Sequence, residues 1–376
     1  MSSIPDLPGV LTSDEVIASG EHLASLQTAS GMIPWFPGGH SDPWNHVESA
    51  MALDVAGFHV EAERAYEWLA DIQRPDGSWH NYYVPDGERD DTIEEAKIDT
   101  NVCAYIATGV WHHWRCTGDR SFVDNLWPTV ERALDFVLSL RRDDGLVLWA
   151  IEADGTRPWD YALLTGSSSI QHALRCGAAA GRATGSPRPD WVEAADTMVE
   201  LINSRPDAFE PKTRWAMDWY YPVLAGATVD EAAKARMADG WPIFSMEHLG
   251  IRCVADEPWV TASETAEASL AYAVIGDFVT ATDLLRWTRP HRLESGAYLT
   301  GIVHPDRIVF PEDEHSSYTA AAVILAADAI AGASNASDLF AAHHLRQSAD
   351  IASCARHNSR PAPPAVSSKS PPTPTA

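Results

Sequence analysis

Two short phrases in this chain place a carboxylate directly before Pro-Trp: Asp42-Pro43-Trp44 and Glu257-Pro258-Trp259. Proline is favoured in the first turn of a helix, and an acidic residue just ahead of it can cap the unpaired N–H groups there. Both phrases continue alike, as Val47-Glu48-Ser49-Ala50 and Ser263-Glu264-Thr265-Ala266. If they begin equivalent helices, Asp42 and Glu257 sit at one rim and face one cleft. Two carboxyls across a cleft suffice for glycosidic cleavage, one protonating the leaving oxygen while the other activates water or attacks the sugar. Helix capping alone would explain either acid taken singly; the adjoining tryptophans and the symmetry set the catalytic reading level with it.

A third phrase, Pro158-Trp159-Asp160-Tyr161, precedes Thr165-Gly166-Ser167-Ser168-Ser169 and an Ala-rich segment with Gln171 and His172. It makes Asp160 a third candidate acid. The chain holds 15 tryptophans, and Trp35, Trp44, Trp79, Trp159, Trp219 and Trp259 fall outside regular helical spacing. Indole faces stack on sugar rings while their N–H edges bond hydroxyls. Trp35, Trp44, Trp159, Trp219 and Trp259 are therefore expected to bind substrate. Trp68, Trp111, Trp114, Trp127 and Trp191 sit at helical spacing among apolar neighbours and read as core. His40 and His46 flank Asp42, and Asp99, Asp218 and Glu264 occupy starts of predicted inner helices; all five are candidate substrate contacts.

These residues need elements to hold them, and the apolar spacing is helical throughout. It predicts helices over 13–28, 43–57, 59–73, 98–117, 120–141, 166–184, 189–204, 214–226, 229–239, 259–275, 277–289, 315–333 and 336–356. A phrase recurs at helix ends: Leu26-Gln27 then Gly31-Met32-Ile33, Ile72-Gln73 then Gly77-Ser78-Trp79, and Leu140-Arg141 then Gly145-Leu146-Val147. A looser copy runs through Gly296-Ala297-Tyr298. Each reads as a helix stopped by a glycine and followed by a short extended piece, the mark of an internal hairpin repeat. Six such hairpins close into an all-α (α/α)6 toroid, with an open helical solenoid as the alternative. Irregular connections over 80–97 and 143–165 favour the ring, since long loops in a compact domain usually serve a site. One catalytic domain is expected over 1–357, followed by a Pro/Ser/Thr-rich tail over 358–376 that lacks the apolar residues to order itself.

Composition narrows the function. A formal net charge of -26 repels polyphosphates and anionic membranes. The expected partner is a neutral oligo- or polysaccharide, with neither nucleic acid nor membrane. No apolar run reaches the ~20 residues of a membrane span and no export signal opens the chain, which predicts a cytoplasmic protein. The 5 cysteines are odd in number and lack any Cys-x-x-Cys pair, so neither disulfides nor a zinc site is expected, and no cofactor.

Three resemblances bear on these residues. Trp159-Asp160, Gly166-Ser167-Ser168 and Gln171-His172-Ala173-Leu174 resemble the glucoamylase segment in which Trp and an acid precede Gly-Ser-Ser and an inner helix. That resemblance casts Asp160 as proton donor, although the family carries Glu there, and Glu312, Asp313 and Glu314 do not match its base. Gln73-Arg74-Pro75-Asp76-Gly77-Ser78-Trp79 fits the Gln-x-x-x-Gly-x-Trp phrase of triterpene cyclases and is similar to the helical toroids of protein prenyltransferases. The Asp-rich protonating motif is missing, Cys253 has no spaced zinc partners, and an acidic chain suits a diphosphate poorly. Finally, the length, the acid-Pro-Trp pair and an actinobacterial style of composition resemble the mycobacterial methylmannose polysaccharide hydrolases. That likeness implies cleavage of an α-(1→4)-linked, partly O-methylated mannan without a metal. A non-catalytic carbohydrate-binding toroid is the remaining alternative, and the choice among Asp42, Asp160 and Glu257 stays open.

Overall fold

The computed structural model describes residues 3–86 and 89–341. The predicted tail over 358–376, and the predicted helix beyond 341, lie outside the described residues. Over 336–341 the chain forms turns in place of that helix's first turns.

The helices divide into two sets by burial. The outer set is α1 (Ser13–Leu26), α3 (His59–Ile72), α6 (Arg120–Ser139), α8 (Pro189–Ser204), α10 (Asp230–Phe244) and α12 (Phe278–Trp287). These bury one stripe. In α8 it is Trp191, Ala194, Ala195, Met198 and Ile202, the period that the sequence shows. The inner set is α2 (Pro43–Val55), α4 (Thr100–Ala104) continued by α5 (Ile106–Thr117), α7 (Leu164–Thr184), α9 (Ala216–Leu224), α11 (Ala262–Val274) and α13 (Ser317–Ala331). Inner helices are buried almost all round, as the run from His46 to Val55 of α2 illustrates. Packing contacts run α2 to α5, α5 to α7, α7 to α9, α9 to α11, α11 to α13, and α13 back to α2. The inner helices therefore close a ring, with outer helices packed around it: the (α/α)6 toroid, and an open solenoid is excluded.

The recurring phrase is the joint between successive outer helices. Gln73 Nε2 donates to Gly77 O at 2.9 Å and to Thr129 O of α6 at 3.0 Å. Gln27 Nε2 does the same one unit earlier, to Gly31 O at 3.0 Å and Glu61 O of α3 at 2.8 Å. Gly77 has φ +93°, and a Cβ there would lie 2.3 Å from the Arg132 carbonyl, so only glycine lets the loop press onto the next outer helix. Trp79 is buried and its Nε1 donates to Leu69 O at 2.8 Å. The Gln-x-x-x-Gly-x-Trp phrase is thus architectural.

Strands are where the helical reading falls short. The stretch over 80–97, expected to be irregular, holds a hairpin of β1 (Tyr82–Asp86) and β2 (Arg89–Glu95). A short pair joins β3 (Ile98–Asp99) to β4 (Ala150–Ile151), and helix 98–117 begins only at Thr100 and breaks at Tyr105. A second antiparallel sheet runs β5 (Ser245–Met246), β6 (Gly250–Arg252), β7 (Trp259–Thr261), β8 (Gly301–Val303) and β9 (Ile308–Val309). Its β7 takes the residues predicted to open an inner helix. Trp259, Val260 and Thr261 are aromatic or β-branched, types that suit a strand better than a helix start.

Candidate active site

The N-terminal ends of five inner helices, α2, α4, α9, α11 and α13, meet around a cleft of about 400 Å³. Helix N-termini carry unpaired N–H groups and the positive end of the helix dipole, so they stabilise carboxylates held there.

Asp42 is the N-cap of α2. Its Oδ1 accepts from the Asn45 N–H at 3.0 Å, and Oδ2 accepts from Asn45 Nδ2 at 2.7 Å and Trp35 Nε1 at 2.6 Å. Burial nonetheless raises its pKa above the usual aspartate value, against these hydrogen bonds. Asp99 caps α4 through the Asn101 and Val102 N–H groups at 2.9 and 3.2 Å, while the Trp149 indole N–H donates to its Oδ2. Burial pushes Asp99 up to about 6, opposed by those bonds and by Lys97. The Lys97 ammonium lies 4.6 Å over the Trp149 ring. In the first turn of α11, Glu264 accepts from the Ser263 hydroxyl at 2.8 Å and from the Thr261 hydroxyl, and the Cys253 thiol lies against it.

Two more carboxyls line the cleft. Glu48 Oε1 accepts from Trp44 Nε1 at 2.9 Å and Tyr105 OH at 3.1 Å. Burial raises Glu48 above the usual glutamate value. Glu267 accepts from Tyr220 OH and is raised well above the glutamate value, first by burial and then by the Glu48 charge. Aromatic walls complete the cleft. Trp35 stands edge-on to Tyr82 at 5.8 Å and to Tyr318 at 5.0 Å, and Trp44 stacks on Tyr105 at 4.9 Å.

Of the residues singled out from sequence, Asp42, Trp35, Trp44, Asp99 and Glu264 come together in this cleft. His40 stands beside it, stacked on Tyr82 at 4.3 Å and 2.9 Å from Glu94. Trp159 lies 5.8 Å from Trp149 without lining the cleft. The others are placed elsewhere. His46 is buried behind α2, bonded to Ala65 O and the Ile33 N–H, and burial holds it neutral with a pKa of about 4. Trp219 is core: it stacks on Phe244 at 5.5 Å, and Gly240 leaves room for its indole. Asp218 accepts from Thr165 Oγ1 at 2.8 Å and so ties α9 to the start of α7. Trp259 lies on β7 with its indole N–H on Phe310 O. Glu257 is exposed in the turn between β6 and β7, because the helix that it was expected to cap begins only at Ala262. The Asp160 side chain is 91% exposed, 3.6 Å from Arg142. Sequence reasoning missed Glu267, Asn101, Lys97, Trp149, Tyr82 and Tyr318 as cleft residues, and quoted Glu48 only as part of a repeat. The available signal was Glu264-x-x-Glu267, two acids one helical turn apart in an otherwise small and apolar segment.

The fold is of the six-hairpin toroid class in which glycosidases occur. Among solved structures, a wild-type glycosidase superposes with a TM-score of 0.67 at 13% identity, covering 85% of this chain and 98% of that one. The GH63 mannosylglycerate hydrolase of Thermus thermophilus, in complex with glucose, superposes with a TM-score of 0.61 at 11% identity over 83% of this chain and 99% of that one. No family model matches the sequence. The chain belongs to the family of the MMP endo-(1,4)-3-O-methyl-α-D-mannosidase of Mycolicibacterium hassiacum, to which it is 44% identical over 340 residues, 90% of this chain and 92% of that relative. The cyclase and prenyltransferase reading falls with that kinship. No helix among the described residues is long and apolar enough to cross a membrane.

Proposed function

We propose that this chain hydrolyses internal α-(1→4) bonds of a 3-O-methylated mannose polysaccharide, with Asp42 as general acid and Glu264 as the second carboxylate. The observation that carries the pair is their shared cleft: two carboxyls at the N-termini of separate inner helices, in opposite environments, between tryptophan and tyrosine walls. Asp42 is 4% exposed and its raised pKa favours the neutral form that protonates a leaving oxygen. Glu264 is held as an acceptor by two hydroxyls, which suits it to attack the anomeric carbon or to take a proton from a water that does so. Asp99 and Lys97, with Trp35, Trp44 and Trp149, are suited to bind sugar hydroxyls and faces. The substrate follows from the relative's activity on 3-O-methyl-α-D-mannose units and from the many aromatic side chains of the cleft, which suit methyl ethers as well as sugar faces. A neutral polysaccharide partner and a cytoplasmic location complete the reading.

The test is incubation with 3-O-methylated α-(1→4)-mannan, its unmethylated counterpart and an α-glucan, followed by chromatography of the products. Methylated oligosaccharides of intermediate length are expected from the first. Asp42→Asn and Glu264→Gln should each lower kcat about 10²–10⁴-fold while still binding substrate. Wild-type rates in either variant would remove that residue from the pair.

A further inference from the structure

Glu48 and Glu267 take no part in the acid and base steps proposed above, yet they lie where the cleft meets a smaller cavity. They stand on separate inner helices, α2 and α11, and both also line a second cavity of about 20 Å³. That volume is room for no more than about one water, and beyond the two carboxyls and two tyrosines the walls are Leu224, Leu270, Ala322, Leu325 and Phe340. The pair is therefore poorly solvated on that side. The groups facing it are Asp42 on α2, Tyr105 between α4 and α5, Tyr220 and Tyr221 on α9, and Glu264 on α11, with Ala322 and Leu325 from α13. None of these is a cation. Two carboxylates in such a place repel each other, and Lys97 of the same cleft lies over Trp149 and acts on Asp99 instead. Each has one tyrosine O–H donor, Tyr105 for Glu48 and Tyr220 for Glu267, which leaves acceptor and donor capacity toward the cleft. A separate observation points to a ligand in this space: Asn101 lines the cleft at 7% exposure, and its Oδ1 has no hydrogen-bond partner. A sugar hydroxyl is the kind of donor that would satisfy it.

We propose that Glu48 and Glu267 share one proton and form the floor of a sugar subsite, the neutral carboxyl donating to one sugar oxygen and the carboxylate accepting from a neighbouring hydroxyl. They are positioning residues. The pair recognises two oxygens of opposite hydrogen-bonding sense, which is what an ether or ring oxygen next to a free hydroxyl presents. Because a shared proton holds the pair at one negative charge, the floor can be buried without a counter-ion. The raised pKa of both groups is consistent with this arrangement. The sugar class rests on the function proposed above; the shared proton does not.

The experiment uses the intact protein and three variants: Glu48→Gln, Glu267→Gln and the double substitution. Infrared difference spectra of the free wild-type protein, taken across the pH range in which the pair titrates, should contain a protonated-carboxyl C=O band. The double substitution should abolish it, and each single variant should shift the transition to lower pH, because a neutral amide partner removes the carboxyl–carboxyl repulsion while burial still acts on the remaining group. On methylated mannan oligosaccharides each single variant should raise KM about tenfold, and the double variant further, with the larger share of the loss in KM. The KM of both single variants should lose its pH dependence near neutrality. A transition that stays in place in either single variant assigns the proton to one residue and overturns the sharing. A loss of about 10²–10⁴-fold in kcat at unchanged KM would make these groups acid or base catalysts and overturn the positioning role. If the wild-type protein cleaved no mannan, the proposed function would fail while the infrared result still decided the shared proton.

Discussion

Replacing Gly77 by alanine tests whether the repeated helix-end phrase is a load-transmitting joint or only a turn. Gly77 has φ +93°, and an L-residue held in the left-handed region costs roughly 1–2 kcal/mol. A Cβ at this position would lie 2.3 Å from the Arg132 carbonyl oxygen, a backbone atom of α6 that can yield only if the helix shifts. Forced overpacking of this kind costs typically about 1–3 kcal/mol more. The expected loss is therefore about 2–5 kcal/mol. Gly57 supplies the control: its φ is +88°, but an added Cβ meets nothing within 4 Å. Gly57→Ala should cost only the conformational part, roughly 1–2 kcal/mol. Urea unfolding followed by tryptophan fluorescence measures both. Equal losses in the two variants would mean that the loop does not press on α6, and the joint interpretation of the repeat would be refuted.

Other substitutions probe the remaining parts of the account. Trp219→Ala should destabilise the protein by about 3–5 kcal/mol in thermal or urea unfolding, as loss of a buried indole does, while leaving KM near the wild-type value; a large KM change would return Trp219 to the substrate site. Glu257→Gln and Asp160→Asn should leave kcat/KM as it is, since both side chains are exposed outside the cleft, and a loss in either would reopen the acid assignment. Away from the cleft, buried Asp54 accepts from His59 at 2.9 Å and His113 at 3.0 Å, and His112 beside it is pushed up to about 10, burial being outweighed by Cys116 and Asp54. Because the folded value lies above the unfolded 6.5, this stabilisation is complete below about 6.5 and is lost as pH rises toward 10. The Tm should fall over that window, and Asp54→Asn should flatten the fall while costing about 3–5 kcal/mol at neutral pH. His46 acts at the acid end: burial lowers it from 6.5 to about 4, so stability is lost as pH falls between those values, and His46→Gln should weaken that loss.

The ring was legible because its physical signals are periodic. One apolar stripe marks an outer helix, burial all round marks an inner one, and the Gln-x-x-x-Gly joints punctuate the hairpins. Asp42 was legible because Asp-Pro opens a helix by a local rule, and the rule held. Glu257 carried the same local signature and landed elsewhere. Three residues of strand, Trp259 to Thr261, separate it from α11, and their pairing with β6 and β8 is a tertiary preference that the Pro-Trp phrase does not encode. The likeness of the two continuations still had value, since Glu48 and Glu264, one residue out of step with the Pro-Trp phrases, both reach the cleft. Tyr82, Lys97 and Trp149 were hidden for a related reason. They reach the cleft through β1, the segment between β2 and β3, and the loop before β4, where β1 and β2 form a local hairpin, β3 pairs with β4 across about fifty residues of chain, and no helical period betrays them.

The central claim is that Asp42 donates the proton to the leaving oxygen, and leaving-group dependence tests it most directly. The rate of Asp42→Asn relative to wild type would be measured on methylated mannan oligosaccharide and on the corresponding α-glycoside of an acidic phenol, which departs without protonation. The account predicts a loss of about 10²–10⁴-fold on the oligosaccharide and near-normal bond cleavage with the aryl glycoside. An equal loss on both substrates, or none on either, would contradict it.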